Sequence, residues 1–116
     1  MHELGLLSGV VPAVVEAASQ RGATGCEAVG LQVGALTGAV PEALQGAWPL
    51  ATAGTILEGA RLEIEPLPAA IWCPGCQAEV EIDQFYALTC PICATPSGQL
   101  VHGREFQVTW ADLTGT

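Results

Sequence analysis

Residues 71–80, IWCPGCQAEV, and residues 89–96, TCPICATP, carry two matched cysteine pairs. Their spacing is C-x2-C-x13-C-x2-C, and each C-x2-C turn can aim two sulfur atoms at a single point. Two such turns that face each other place four thiolates at the corners of a tetrahedron, which is the arrangement that structural zinc prefers. The sequence therefore predicts a zinc site formed by Cys73, Cys76, Cys90 and Cys93.

The residues inside the two turns fit this interpretation. Pro74 and Pro91 each remove a backbone donor and fix the turn, and Gly75 permits a positive φ. The segment has few apolar residues, so metal binding should supply most of its folding energy. Two other uses of four cysteines stay open: a rubredoxin-like iron site for electron transfer, and a redox dithiol, which two matched pairs fit less well than a metal does.

Composition limits the partners. The chain has 116 residues, enough for one compact unit or for one domain with a small appendage, and half of the residues are hydrophobic. Twelve acidic residues stand against three basic ones, for a formal net charge of −9. Nucleic acid and anionic membrane surfaces are therefore excluded as expected partners, because both are bound through Lys and Arg.

The location is expected to be the cytoplasm. The first residues lack the basic region that opens a signal peptide. The best apolar run, at residues 10–15, contains Pro12 and is far shorter than the roughly 20 residues that span a bilayer. Thiols stay reduced in the cytoplasm, which again favours metal ligands over disulfides.

Helical periodicity marks the first element. Leu4, Leu7, Val11, Val14 and Ala18 recur at helical spacing, and the predicted helix ends near Arg21 and Gly22. Pro12 should either kink this helix or delay its regular start until after Ser8. A second helix is expected to start at Pro41-Glu42, with Leu44 and Trp48 on its inner side.

Three segments alternate with the period of a strand. Their inward residues are predicted to be Val29, Leu31 and Val33 in the first, Leu62 and Ile64 in the second, and Phe106, Val108 and Trp110 in the third. The stretch Pro66-Leu67-Pro68 should stiffen the chain and stop the pairing of the second strand. An α+β fold results, a small three-stranded sheet covered by two helices, with a four-cysteine, zinc-ribbon-like module inserted before the last strand. The domain division is 1–68 plus 99–116 for the α/β part, and 69–98 for the zinc-binding part.

The chain starts with residues 1–4, MHEL, which can chelate a metal ion. The α-amine of Met1, the backbone nitrogen of His2 and its Nδ1 can close a five-membered and a six-membered ring around one ion. The Glu3 amide, water or another side chain can take the fourth place, and such a nitrogen set suits Ni²⁺ or Cu²⁺. Alternatively, His2 is merely solvated and Glu3 is a first-turn acid that complements the helix dipole.

The segments MHEL (1–4), LQVGALTG (31–38), GTILEGARLEIEPLPA (54–69), CPGC, CPIC and LVHGREFQVTW (100–110) follow one another in order along the whole chain. Together they resemble the HypA/HybF family of hydrogenase nickel-incorporation proteins. The resemblance implies a metallochaperone with an N-terminal nickel-binding domain and a zinc-binding domain. Gly5 and Pro12 depart from the unbroken first helix that is usual in the family.

The resemblance also implies site residues and partners. Nickel, bound transiently, would be held by Met1, His2 and Glu3, and structural zinc by the four cysteines. The implied partners are the maturation GTPase HypB and the precursor of the [NiFe]-hydrogenase large subunit, and a homodimer is an open option. A zinc-ribbon adaptor for protein interaction and the iron electron carrier are the alternatives.

The remaining reactive side chains suggest no catalysis. The sequence has no G-x4-G-K-[ST] phosphate loop and no Cys–His pair in a nucleophile's setting, so we do not expect an enzyme. His102 could in principle reach the nickel, but an exposed loop histidine is the simpler interpretation. Cys26 is interpreted as a small buried hydrophobic residue.

Overall fold

The computed structural model describes residues 2–83 and 88–115. The described chain forms two α-helices, a 3-10 turn at Ala35–Thr37 and two three-stranded sheets, with strand orders β2-β1-β6 and β4-β3-β5. The elements are α1 (His2–Gln20), β1 (Gly25–Gly34), α2 (Pro41–Thr52), β2 (Arg61–Leu67), β3 (Ala70–Cys73), β4 (Ala78–Glu81), β5 (Leu100–His102) and β6 (Phe106–Thr114). The predicted α+β class, with two helices, a three-stranded sheet and an inserted cysteine module, is confirmed. The second sheet was not predicted.

The chain divides into two compact units. Unit 1 comprises Met1–Gln32, Ala39–Glu65 and Phe106–Thr116, and unit 2 comprises Val33–Gly38 and Pro66–Glu105. The assignment of nickel binding to one domain and zinc binding to the other stays a prediction. Within the described residues, no helix has the length and apolar character needed to cross a membrane.

Helix α1 begins at His2, so of the two alternatives offered for Pro12 the regular start after Ser8 is wrong. Its buried residues include Leu7, Val11 and Ala18, which confirms the helical stripe. Pro12 is exposed, so the backbone hydrogen bond that it removes would face solvent. The helix ends in a Schellman motif, in which Ala23 N–H donates to the Ala18 carbonyl (3.0 Å) and Gly22 adopts a φ of 71°.

The core of unit 1 includes buried residues of α1, α2 and β1, and α1 packs against α2 and β6. Val29 and Leu31 are buried there as predicted, and so is Leu44 of α2. Trp48 is also buried, and its indole Nε1 donates to the Ala60 carbonyl at 2.8 Å, so this ring fills the core without leaving its N–H unpaired.

Trp110 lies on the opposite face from the one predicted. It is 44% exposed, and a Cβ built on Gly30 would fall within its indole ring, so the ring covers the face of β1 opposite Val29 and Leu31. The alternation of burial along β6 shifts at Thr109–Trp110, and Ala111 and Leu113 are half-buried instead.

Strand β2 ends at Leu67, within the stretch Pro66-Leu67-Pro68 that was expected to stop its pairing. Because β2 is an edge strand of its sheet, the missing N–H of Pro66 is tolerated.

Unit 2 has an apolar core of its own. Strand β3 pairs with β4 in antiparallel register, Ile71 opposite Val80 and Trp72 opposite Glu79. One face of this sheet forms a buried cluster, whose members are Ala69, Ile71, Cys73, Val80, Ile82 and Cys90. The sequence-based view of a module with few apolar residues therefore underestimated its core, because residues outside 69–98, such as Leu36 and Leu100, also pack against it.

Gly34 sits where two backbone segments of unit 2 touch. Its N–H donates to the Glu105 carbonyl, and the Leu36 N–H donates to the Gly103 carbonyl, each at 2.7 Å. A Cβ on Gly34 would come within 2.3 Å of the Gly103 carbonyl group. Gly34 has ordinary extended angles, φ −75° and ψ 147°, so it is required there for space and not for conformational freedom.

Gly34→Ala should therefore destabilise unit 2 by about 1–3 kcal/mol, the usual cost of overpacking. Gly30→Ala should cost less, because it displaces the Trp110 side chain and not backbone. Gly46→Ala is the matched control: it lies in open space on α2 and should stabilise by up to about 1 kcal/mol. Urea unfolding of the three variants measures their free energies of unfolding. A Gly34→Ala variant as stable as the parent would contradict the prediction.

Candidate metal centres

The four predicted zinc ligands converge in unit 2. Cys73 is the last residue of β3, Cys76 closes the turn that follows, and Cys90 and Cys93 flank a second turn. The four Sγ atoms all lie within 4.8 Å of one another, with separations of 3.4 Å for Cys73–Cys93 and 3.9 Å for Cys76–Cys90. Among the described residues, this is the only group of three or more His, Cys, Asp or Glu residues whose ligand atoms all lie within 4.8 Å of one another.

The sulfur geometry fits a tetrahedral ion. Zinc–sulfur bonds of about 2.3 Å place the sulfurs of a tetrahedral site about 3.8 Å apart, close to the separations found here. Backbone amides also point at the sulfurs: Cys76 N–H donates to Cys73 Sγ at 3.3 Å, and Ile92 N–H to Cys90 Sγ at 3.4 Å. These contacts hold each turn around its first sulfur atom.

The two turns share one backbone feature that the sequence analysis did not predict. The residue after each second cysteine, Gln77 or Ala94, has a positive φ, 53° and 63° respectively. Gly75 does not adopt the positive φ that a glycine permits. Gly75 is needed for space, because a Cβ there would lie 2.6 Å from Thr95 Oγ1 and 3.2 Å from Cys93 Sγ.

Thr95 is a contributor that sequence reasoning missed. Its hydroxyl lies 3.1 Å from Cys93 Sγ, and hydrogen bonds from Thr95 lower the pKa of the Cys93 thiol to about 6. The neighbouring sulfurs, Cys93 first and then Cys73, raise the pKa of the Cys76 thiol to about 12. Without a metal ion, negative charge is therefore favoured at Cys93, and metal binding must displace a proton from Cys76. No feature of the sequence distinguishes Thr95 from other turn threonines.

The predicted nickel ligands lie at the start of α1. Met1 is outside the described residues. His2 is exposed and Glu3 is buried, with Glu3 Oε2 located 3.7 Å from His2 Nδ1. The same oxygen accepts a hydrogen bond from the Val40 N–H at 3.1 Å, and this bond lowers the pKa of the Glu3 carboxyl. Glu3 thus ties the first turn of α1 to the segment that precedes α2.

His102 is the last residue of β5 and not the loop residue that the simpler interpretation expected. Its Nδ1 lies 2.9 Å from Glu105 Oε2, and its ring is about half exposed. The Gly103 N–H donates to the other carboxylate oxygen at 2.7 Å and lowers the pKa of the Glu105 carboxyl. Because His102 and His2 belong to different units, whether His102 reaches the nickel stays a prediction.

Cys26 stands apart from the cluster. It is half-buried in β1, its thiol donates to the Ala28 carbonyl at 3.3 Å, and burial raises its pKa. Cys26 is therefore half-buried where the sequence analysis interpreted it as a buried hydrophobic residue.

The fold and the cluster together define a small α+β protein with a four-thiol metal centre. The chain belongs to the HypA family: the family model described as "Hydrogenase/urease nickel incorporation, metallochaperone, hypA" matches residues 1–113. The hydrogenase maturation factor HypA of Chloroflexus aurantiacus is 42% identical over 108 residues, 93% of this chain and 95% of the relative. That of Streptomyces avermitilis is 40% identical over 116 residues, 97% of this chain and 88% of the relative.

Two solved structures share the fold. The nickel metallochaperone HypA from Helicobacter pylori superposes with a TM-score of 0.69 at 16% identity, over the full length of both chains. A second solution structure of a HypA protein gives 0.72 at 17% identity, over 100% of this chain and 98% of the other. The predicted family is thus confirmed, and with it the expectation of a maturation factor that is not an enzyme.

Gly75→Ala should weaken metal binding at the cluster, because the new methyl group forces Thr95 to rotate away from Cys93. Thr95→Ala should weaken it too, and the double variant should lose less than the sum of the two, since each single change breaks the same contact. Competition with a chromophoric chelator measures the affinities. Gly98→Ala, in open space within the same unit, is the control. Full additivity would contradict the shared contact.

Proposed function

We propose that this chain binds Ni²⁺ at its amino terminus and delivers it for [NiFe]-hydrogenase maturation, while zinc at the four cysteines stabilises unit 2. The nickel ligands are the Met1 amine, the His2 backbone nitrogen and Nδ1, and the Glu3 amide. The observation that carries the proposal is that His2 opens helix α1 with an exposed imidazole, in a chain that belongs to a nickel metallochaperone family.

The start of a helix makes these backbone nitrogens accessible. The first four amides of an α-helix have no acceptor within the helix, so their nitrogens can be given to a metal without breaking a helical bond. The imidazole of His2 is 56% exposed and can turn its Nδ1 from Glu3 to the ion. Nitrogen donors of this kind suit Ni²⁺.

The electrostatics of this end favour an ion that is held loosely. The positive end of the helix dipole opposes a cation at the first turn. The carboxylate of Glu3 offsets this, because its Oε2 lies only 3.7 Å from the His2 Nδ1. That oxygen already accepts the Val40 N–H, so the carboxylate keeps the first turn in place and is not itself a nickel ligand. Glu3 contributes to the nickel site through its negative charge and its backbone amide. A moderate affinity is what a carrier needs in order to release its cargo.

The cysteine cluster has the opposite character. Four thiolates complete a tetrahedral shell and leave no open position for a substrate, so the bound zinc would be structural. Cys73 and Cys90 are almost fully buried, which further separates this ion from exchange with solvent. Soft thiolate ligands favour zinc, whereas the terminal nitrogens favour nickel.

Delivery requires partners, and we propose the maturation GTPase HypB and the hydrogenase large-subunit precursor, in the cytoplasm. The sequence has no phosphate-binding loop of its own, so nucleotide hydrolysis would be supplied by the GTPase. A partner could take the nickel by competing with the shallow terminal chelate. Homodimer formation is compatible with this role and is not required by it.

Blocking the amine tests the nickel site. Ni²⁺ titrated into the protein with a free α-amine should bind at least about tenfold more tightly than into the same protein with an acetylated terminus, since acetylation leaves that nitrogen without a lone pair for the metal. His2→Ala should lose a similar factor. Acetylation should have no further effect in the His2→Ala background. Equal affinities for the free and the acetylated chain would reject the terminal chelate.

Removing one thiolate tests the zinc site. Cys73→Ser should release zinc and unfold unit 2, because metal binding and folding of such a site are coupled. Zinc content and amide hydrogen exchange of residues 66–105 measure both effects. Cys26→Ser is the matched control and should keep its zinc. A folded Cys73→Ser variant with a full complement of zinc would refute the four-cysteine site, and a coloured, iron-containing preparation would favour the electron-carrier alternative.

A further inference from the structure

The outer face of the sheet β4-β3-β5 carries a histidine among carboxylates. The inner face is apolar, with Ile71 and Val80 buried, so the residues that alternate with them point outward. Glu79 and Glu81 of β4 are both exposed and flank Val80. On the other side of β3, His102 pairs with Ala70, directly across from Glu81. A small alanine between them lets the longer side chains on either side lean over β3.

One nitrogen of the His102 ring is held by protein. Nδ1 lies 2.9 Å from Glu105 Oε2, and the Gly103 N–H holds the other oxygen of the same carboxylate. An ionised carboxylate can only accept hydrogen bonds, so Nδ1 must carry the proton in this contact. In the neutral ring the lone pair is then on Nε2, the nitrogen that Glu105 does not engage.

The free nitrogen faces a second carboxylate. Nε2 lies 4.0 Å from Glu79 Oε2, and the Glu79 side chain is 57% exposed and can adjust. Metal bonds to imidazole nitrogen and to carboxylate oxygen are each about 2.0–2.2 Å long, so one ion between two such atoms holds them up to about 4 Å apart. The separation found here therefore leaves room for a shared ion with little movement.

A metal-binding histidine commonly donates its other ring N–H to a carboxylate, which fixes the tautomer and increases the basicity of the ligating nitrogen. Glu105 is such a carboxylate, because it accepts the Nδ1–H of His102. We propose that His102 Nε2 and Glu79 form a shallow site for a divalent transition-metal ion in unit 2, with Glu105 as the positioning residue. The site is distinct from the cysteine cluster and does not depend on the terminal chelate.

The chemistry of this site suits nickel. Imidazole and carboxylate ligands accept Ni²⁺, Cu²⁺ or Zn²⁺, and water would fill the remaining positions. Two protein ligands make a weak site, and Glu81 adds a further negative charge on the same face. Such a site could hold a transferable ion at a second place on the carrier.

A protonated His102 that simply pairs with Glu79 and Glu105 is the competing explanation, and the two differ in a measurable way. A metal ion needs the neutral ring and occupies Nε2, whereas an ion pair needs the charged ring and binds no metal. The chain has only two histidines, so His102 is the sole imidazole in a His2→Ala variant. Its ring signals in an NMR spectrum can therefore be assigned without ambiguity.

The test adds Ni²⁺ to the zinc-loaded His2→Ala protein. We expect the His102 ring signals to shift or broaden in a saturable way, and calorimetry to show one nickel ion bound per chain. His102→Ala in the same background should reduce the affinity at least about tenfold, the scale on which a lost ligand or its support is felt. Ring signals unaffected by nickel, or an affinity unchanged by His102→Ala, would overturn the site.

Carboxylate variants separate the roles of the two glutamates, all in the His2→Ala background. Glu79→Gln should weaken nickel binding and leave the metal-free ring tautomer unchanged. Glu105→Gln should change the tautomer, visible in the ring nitrogen shifts, and weaken binding about 10–100-fold. Glu63→Gln is the control: it removes one exposed carboxylate, paired with Arg61 in unit 1, and should change neither readout. Equal loss in all three variants would indicate a general charge effect and overturn the proposal. All these variants lack the terminal chelate, so their outcomes test this site even if the native protein binds no nickel at its amino terminus.

Discussion

Four sulfur atoms within 4.8 Å of one another impose the constraint on which unit 2 depends. Thiols packed this closely repel one another when ionised, and the charges are relieved either by retained protons, as at Cys76, or by a metal ion. The surrounding backbone is arranged for the second solution, with amides directed at Cys73 and Cys90 Sγ. Gln77 and Ala94 accept a left-handed conformation that costs non-glycine residues about 1–2 kcal/mol each. The free energy gained when the turns close around an ion must therefore exceed this conformational cost.

The apolar core of unit 2 and the cluster support each other. Cys73 and Cys90 belong at once to the ligand set and to the buried cluster that contains Ile71 and Val80. An ion that pulls the sulfurs together therefore also presses the turns onto the sheet. Gly75 follows from the same close packing, because it makes room for Thr95 beside Cys93.

The sequence predicted these features unevenly, for physical reasons. The cysteine spacing and the apolar periodicities of α1 and β1 depend on local geometry, so they were found correctly. Trp110 was misplaced because alternation is reliable only while a strand stays regular, and burial along β6 changes register at Thr109–Trp110. The second sheet escaped because β5 has only three residues, and its partner β3 lies more than twenty-five residues before it. Thr95 and Glu105 act through hydrogen bonds to residues close by in the sequence, and such bonds leave no periodic signal.

Each of the two histidines lies near a carboxylate, with opposite consequences for metal chemistry. Glu105 holds His102 Nδ1 at hydrogen-bond distance, which commits that nitrogen to carrying a proton and exposes Nε2. Glu3 lies 3.7 Å from His2 Nδ1, too far to hold it, and its oxygen is engaged by Val40 instead. His2 therefore keeps Nδ1 available, and only Nδ1 can close a six-membered ring with the histidine's own backbone nitrogen. The difference of less than 1 Å between the two contacts thus determines which nitrogen each imidazole can offer to an ion.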